Sequence, residues 1–271
     1  MPNVSSDAIR VRVDQTNPGQ FFACCGLLEL ADRLWRGAEG WFEESVFCLR
    51  GQRQPGDPDQ ALASLVRTVV GTSLLAVDAE DETASPIQMG SPFDLRLDWW
   101  VDRRSGGDRL KVWAGSMRGV RIAQAMQRAI AGRMSRLGSM FDDGLVVHDP
   151  DDSTKKVEPF YFDARRGSNA RSLDIGFAPD AFGMTTIAYP QVELFCLIGI
   201  QRVRPAPAEG RRTFAYHTWA EPLSPLAAAC AACGAMPSAT GRGYRFEVGF
   251  RTDQRKHKAF MPANAIREEM I

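Results

Sequence analysis

The stretch Asn17-Pro-Gly-Gln-Phe-Phe-Ala-Cys-Cys-Gly-Leu-Leu-Glu-Leu-Ala-Asp-Arg-Leu-Trp35 decides the fold. Pro18 suits a first helical turn, where its missing N–H costs nothing. Phe22, Cys25, Leu28, Ala31 and Trp35 then put apolar side chains on nearly every side of a helix. Such a helix is buried, so this stretch predicts the centre of a core. Gly26 costs up to about 1 kcal/mol of helix propensity relative to alanine, which predicts close approach of a neighbouring backbone. Just upstream, Ile9 to Asp14 alternates apolar and polar residues as a half-buried strand does.

Working outward, Trp41 to Arg50 reads as a strand and Gly51 to Asp59 as a loop, with Asp57 or Asp59 capping a helix that runs to about Val70. Asp78 to Pro92 is acidic and turn-rich, an exposed excursion. Phe93 to Trp100 is a strand with Phe93, Leu95, Leu97 and Trp99 on one face. Arg103 to Arg109 supplies a hairpin turn through Ser-Gly-Gly, and Leu110 to Trp113 returns as the partner strand. Met117 to Leu137 is a helix, Asp142 to Lys156 an acidic loop, Val157 to Ala164 a strand and Pro190 to Val203 a second buried helix. Arg204 to Arg212 contains two prolines. Thr213 to Thr218 is a strand, Pro222 to Cys233 a short helix, and Tyr244 to Arg251 with Lys258 to Met261 a terminal hairpin. This order predicts an α+β fold, helices packed on mostly antiparallel sheet, in ferredoxin-like (RRM- or RAMP-type) units with insertions. A single domain over residues 1–271 is expected, or two subdomains split near 204–212.

One internal echo is present. Phe22 and Gly26 recur as Phe195 and Gly199, each pair a few residues after a proline, Pro18 or Pro190. Two buried helices converging on small residues by packing need would produce it. A pseudo-duplicated βα unit whose glycines let the helices cross closely would produce it too.

With 44% hydrophobic residues and 33 basic against 33 acidic residues, the chain is a folded globular protein of zero net charge. A free-standing nucleic-acid binder is usually basic, so strong autonomous binding is disfavoured, while a local basic face remains open. The longest apolar run, Val192 to Ile200, contains Glu193 and is far short of a membrane span. The first residues lack the regions of a secretory signal, and the six cysteines sit mostly in apolar segments. A cytoplasmic protein with reduced, buried thiols is expected.

The helix Met117 to Leu137 holds five arginines and no acid. Ile122, Met126, Ile130, Met134 and Leu137 fall on one side of it, and Arg118, Arg121, Arg128, Arg133 and Arg136 on roughly the other. Such a strip can meet phosphates or an acidic partner, and a solvated helix face is the plain alternative. Lys111 lies just before it, and Ser116 at the helix entrance serves as N-cap or as part of an anion site. Arg165, Arg166 and Arg171 form a second basic segment, which would follow a phosphate backbone, or in which Arg165 would pair with Asp163 or Asp174 and order the turn.

Other constellations are weak. Cys230 and Cys233 form a lone CxxC without a second pair, so no metal site is expected. Asp142-Asp143 and Asp151-Asp152 lack the glycine and glutamate of an EF-hand. His148, His217 and His257 are scattered, and His217 reads as a hydrogen-bonded core residue. No nucleophile, base and orienting group can be placed together, so neither an enzyme nor a cofactor is expected.

Four blocks carry a family resemblance: NPGQFFACCGLLELADRLW (17–35), LKVWAGSMRGVRIAQAM (110–126), FDARRGSNARSLDIGFAPD (162–180) and AYPQVELFCLIGIQRVRP (188–205). In this order they resemble the Csb-three and Csx-fourteen families of type I-G (formerly I-U) CRISPR loci. The resemblance implies a non-catalytic subunit of an RNA-guided antiviral effector complex, with guide RNA, target DNA and sister subunits as partners. A large-subunit-like role comes first and a backbone-type RNA-holding role second. Lys111, Ser116, Arg118, Arg121, Arg128, Arg165, Arg166 and Arg171 are the expected nucleic-acid contacts. Two alternatives are a ferredoxin-like guide-RNA-processing endoribonuclease, with His217 or His257 as base, and a purely structural adaptor.

Overall fold

The computed structural model describes residues 7–80, 85–98, 117–165, 187–236, 239–250 and 258–266. It is α+β as expected, with helices packed on antiparallel sheets.

Strand β1 (Ile9–Arg12), helix α1 (Pro18–Trp35) and strands β2 (Glu39–Glu43) and β3 (Val46–Arg50) form the first unit. Strand β3 lies between the other two and is antiparallel to both, so β1 and β2 run parallel with α1 as their crossover. That is the split βαβ arrangement of ferredoxin-like units. Helix α2 (Pro58–Gly71) follows, with Asp57 as N-cap accepting the Gln60 N–H at 2.9 Å. The next strand does not rejoin this sheet. Instead β4 (Leu74–Ala76), β5 (Ile87–Met89) and β6 (Leu95–Leu97) make a separate three-stranded sheet.

Helix α3 (Gly119–Ala131) leads into a 3-10 turn, Met134–Ser139. Helix α4 (Pro190–Arg202) precedes β7 (Ala206–Pro207), β8 (Thr213–Trp219), α5 (Pro225–Ala232), β9 (Thr240–Phe250), β10 (Lys258–Phe260) and β11 (Asn264–Ala265). The last sheet runs β10-β9-β8-β7, with β11 also on β9. The proline-bearing stretch 204–212 thus enters this sheet through β7, which pairs with β8.

Four local expectations are corrected. Trp41 to Arg50 is a hairpin and not one strand, because the chain reverses at Glu44 with φ 50, and glutamate carries none of the usual turn chemistry. The acidic stretch 78–92 hides β5, whose Ile87 and Met89 are buried. The long arginine helix ends at Ala131 and not at Leu137, and Arg136 is non-helical (φ −112, ψ 22). Val157 to Ala164 is not a strand, although Phe160, Phe162 and Ala164 are buried. The hairpin at 103–109 and the strand at 110–113 lie outside the described residues.

The core is organised by α1 against α4, both buried on almost every side. Gly26 and Gly199 bring the two backbones into contact, which is the close crossing the echoed sequence anticipates. Toward the large sheet, Phe21 stacks on Tyr216 at 4.3 Å and meets Trp219 edge-on at 5.9 Å. Phe22 packs on Tyr216, Phe246 and Phe260. The Trp219 indole N–H donates to the Gly40 carbonyl at 2.7 Å, which ties β8 to β2.

Both ends of the helix pair are fixed by polar contacts. At the start, Asn17 caps α1 and its Oδ1 accepts the N–H groups of Gly19 and Ala164, both at 3.1 Å. The buried Glu193 of α4 accepts the N–H groups of Phe162 and Asp163 at 3.2 and 3.1 Å. Segment 162–164 is therefore strapped to the first turns of both helices. At the other end, the buried Glu29 of α1 takes Arg33 at 2.7 Å and Arg202 of α4 through both carboxylate oxygens.

Candidate nucleic-acid interface

Helix α3 buries Val120, Ile122, Ala123, Met126 and Ile130. Arg121 and Arg128 stand seven positions apart, two turns, on the opposite side. The amide groups between them tie the helix down: Gln124 donates to the Leu74 carbonyl at 2.9 Å, and Gln127 to those of Val69 and Thr72 at 2.7 Å. Arg118 occupies the N-cap position with an exposed side chain and makes no side-chain capping bond. The helix thus starts after the expected Ser116 cap; Lys111, Ser116, Arg166, Arg171 and His257 lie outside the described residues.

The expected strip of arginines without opposing acid is corrected by the chain's own carboxylates. Arg121 pairs with Asp151 at 2.5 Å, and Arg128 donates to the Pro150 carbonyl at 2.7 Å. Arg133 and Arg136 turn away with the 3-10 segment and converge on Asp143 at 3.0 and 3.4 Å. That carboxylate is only 3% exposed, so its two guanidinium neighbours balance a buried charge. All these acids come from the stretch 142–152, which the sequence presents as an acidic loop and which folds back over the helix that precedes it.

Arg121 and Arg128 line a groove of about 500 Å³ between α3, the end of α2 and β4, with Leu75 and the 150–151 turn on its rim. Leu75 is 60% exposed there. Exposed ion pairs such as Arg121–Asp151 are worth roughly 0.2–1 kcal/mol, so this pair is exchangeable, whereas the Asp143 cluster is structural.

Arg165 sits elsewhere and is committed to its own chain. It pairs with Asp163 at 2.7 Å and Asp142 at 3.0 Å, donates to the Phe141 carbonyl, and lies 3.5 Å from the Tyr189 ring centroid. Of the two roles open to it from sequence, the contacts are those of turn ordering. It shares a second, mixed-charge cavity of about 400 Å³ with Arg12, Asp14 and Asp142.

His217 is half-buried, with Nδ1 3.4 Å from the Ala232 carbonyl and its ring beside Gly234 and Gly243. Cys24, Cys25, Cys48 and Cys196 are buried thiols, but Cys230 is half-buried and Cys233 exposed. Among the described residues no group of three metal-ligating side chains comes together, and no helix is long and apolar enough to cross a membrane. Comparison with protein-family models, with curated proteins and with solved structures finds no match.

Proposed function

We propose that this chain is a non-catalytic subunit of a type I-G RNA-guided effector complex. It holds the backbone of guide RNA or target DNA through Arg118, Arg121 and Arg128 of α3 and meets sister subunits on other faces. A large-subunit-like role is the first reading and a backbone-type role the second. The observation that carries the nucleic-acid part is the outward face of α3: Arg121 and Arg128 line a groove on a helix without an acidic residue, and exposed Arg118 stands at its N-cap. The resembling blocks support a scaffold role for the rest. The first, third and fourth meet at the α1–α4 crossing and at segment 162–164, where they make packing and capping contacts.

The test is charge reversal of Arg118, Arg121 and Arg128 together, read by binding of labelled single-stranded RNA and DNA over a salt series. Each phosphate that is no longer neutralised should reduce the slope of log affinity against log salt by about 0.7. Unchanged affinity and slope, in a variant with native circular dichroism, would falsify the assignment. The alternative to a nucleic-acid role is a purely structural adaptor, favoured by the pairing of Arg121, Arg133, Arg136 and Arg165 with the chain's own acids. Copurification with partner proteins and no crosslink to RNA or DNA would select it.

A further inference from the structure

Arg121 and Arg128 start from Cα positions two turns apart, about 10 Å along the axis, yet their guanidinium groups end on one dipeptide. Arg121 Nη1 meets the Asp151 carboxylate at 2.5 Å, and Arg128 Nη1 meets the Pro150 carbonyl at 2.7 Å. Two side chains that diverge at their roots and converge at their tips present a pair of cationic forks to a small group bearing several acceptor oxygens. A dipeptide with one carboxylate and one carbonyl fills that role within the chain.

The turn that delivers it is a self-contained arm. Asp149 Oδ1 accepts the Asp151 N–H at 2.8 Å, and the Asp149 N–H donates to the Lys155 carbonyl at 2.8 Å. Asp152 accepts from Thr154 and pairs with Lys155 at 3.1 Å, while a bridge between His148 and Lys156 closes its base. With these internal bonds the arm keeps its shape without its two contacts to α3. The Asp151 side chain is 66% exposed, so swinging it into water uncovers no apolar core.

We propose that the groove between α3, β4 and the end of α2 is a phosphodiester site of a single nucleic-acid strand, and that the 149–152 turn at its rim is the built-in occupant of its two arginine forks. Asp151 and Pro150 hold the places of phosphate oxygens, and the incoming strand displaces them. Leu75 and Val70 on the groove wall offer the accompanying sugar or base an apolar seat. The exchange of one anion for another leaves both arginines paired throughout, and it makes affinity depend on how firmly the turn competes. This inference rests on the proposal that α3 faces nucleic acid.

Five versions of the full chain are compared: the unaltered protein, Asp151→Ala, Arg121→Ala, Arg128→Ala and Arg121→Ala with Asp151→Ala. Binding of labelled single-stranded RNA and of DNA of the same sequence is followed by fluorescence anisotropy at low salt. Removing the occupant should tighten binding about 1.4- to 5-fold, the range of an exposed ion pair, and the gain should vanish when Arg121 is also absent. Tightening for both polymers assigns the site to the shared phosphodiester; tightening for one alone assigns it to that strand. If Asp151→Ala leaves affinity unchanged while Arg121→Ala and Arg128→Ala weaken it, the built-in occupant is overturned and the arginine interface stands. If neither arginine matters, both fall.

Discussion

Gly26 of α1 and Gly199 of α4 occupy each other's closest approach: a Cβ on Gly26 would lie 2.0 Å from the Phe195 carbonyl oxygen, and one on Gly199 would lie 1.9 Å from that of Phe22. The relationship is reciprocal, each glycine facing the carbonyl four residues before the other. Backbone cannot yield as a flexible side chain does, so no rotamer change relieves either clash.

Alanine at either position should therefore force the helices apart. The helix propensity gained, up to about 1 kcal/mol, opposes an overpacking cost of about 3 kcal/mol or more at a backbone–backbone contact. Gly26→Ala and Gly199→Ala should each lower the urea midpoint clearly. Because both disturb one crossing, the double variant should lose less than the sum. An unchanged midpoint in either single variant refutes the crossing.

The far end of the same helix pair is held by charge. Burial pushes the Glu29 carboxyl up, but hydrogen bonds and attraction from Arg202 and Arg33 outweigh it and leave its pKa below the usual 4.5. A lowered folded-state value means stability present above 4.5 and lost as pH falls through the folded value. Glu29→Gln should cost roughly 1–3 kcal/mol at neutral pH, discounted from a fully buried pair because both arginines reach solvent. It should also flatten the acid limb of the stability profile. Parallel profiles for the variant and the unaltered protein would count against the latch.

How much of this was legible in the sequence follows from the range of each interaction. Helix α1, its buried character and the close approach at Gly26 are local signals, and Pro18, Pro58, Pro190 and Pro225 each open a helix as proline at N1 should. The hairpin at Glu44 left no trace because positive φ there is imposed by the strands on either side. The arginines of α3 were legible as a face, but their partners were not. Asp151 and Asp143 are 30 and 7 to 10 residues from the arginines they meet, and a charge count by segment separates groups that folding joins. The one available signal was the acidic stretch following a basic helix without acids of its own. Glu193, in an apolar run, was visible only as an interruption, since its partners are backbone N–H groups on a remote segment.

Gln191 offers a different kind of test. It is wholly buried on α4, and both its amide oxygen and nitrogen are without a hydrogen-bond partner among the described residues. A buried polar group left unsatisfied costs about 1–3 kcal/mol. Methionine has nearly the same shape and no such requirement. Gln191→Met should raise the thermal midpoint or leave it level, whereas a substantial drop would mean that the amide makes a contact which matters.

Glu193 should make the fold sensitive to alkali. Burial raises its pKa to about 8, helped by nearby Asp163 and opposed by the backbone N–H groups of Asp163, Phe162 and Phe160. The folded value lies above the unfolded 4.5, so the folded state binds the extra proton between pH 4.5 and about 8. Stability is then fully present below 4.5 and declines as pH rises through about 8. The decline reflects the cost of holding an ionised carboxylate in a buried site beside Asp163, which the N–H groups of segment 162–164 offset only in part. Glu193→Gln keeps the shape but swaps one acceptor oxygen for an NH₂ group facing an N–H, so it starts less stable at low pH. What it must lose is the slope. Urea midpoints across this interval should fall for the unaltered protein and stay flat for Glu193→Gln; equal slopes in the two would place the titrating group elsewhere.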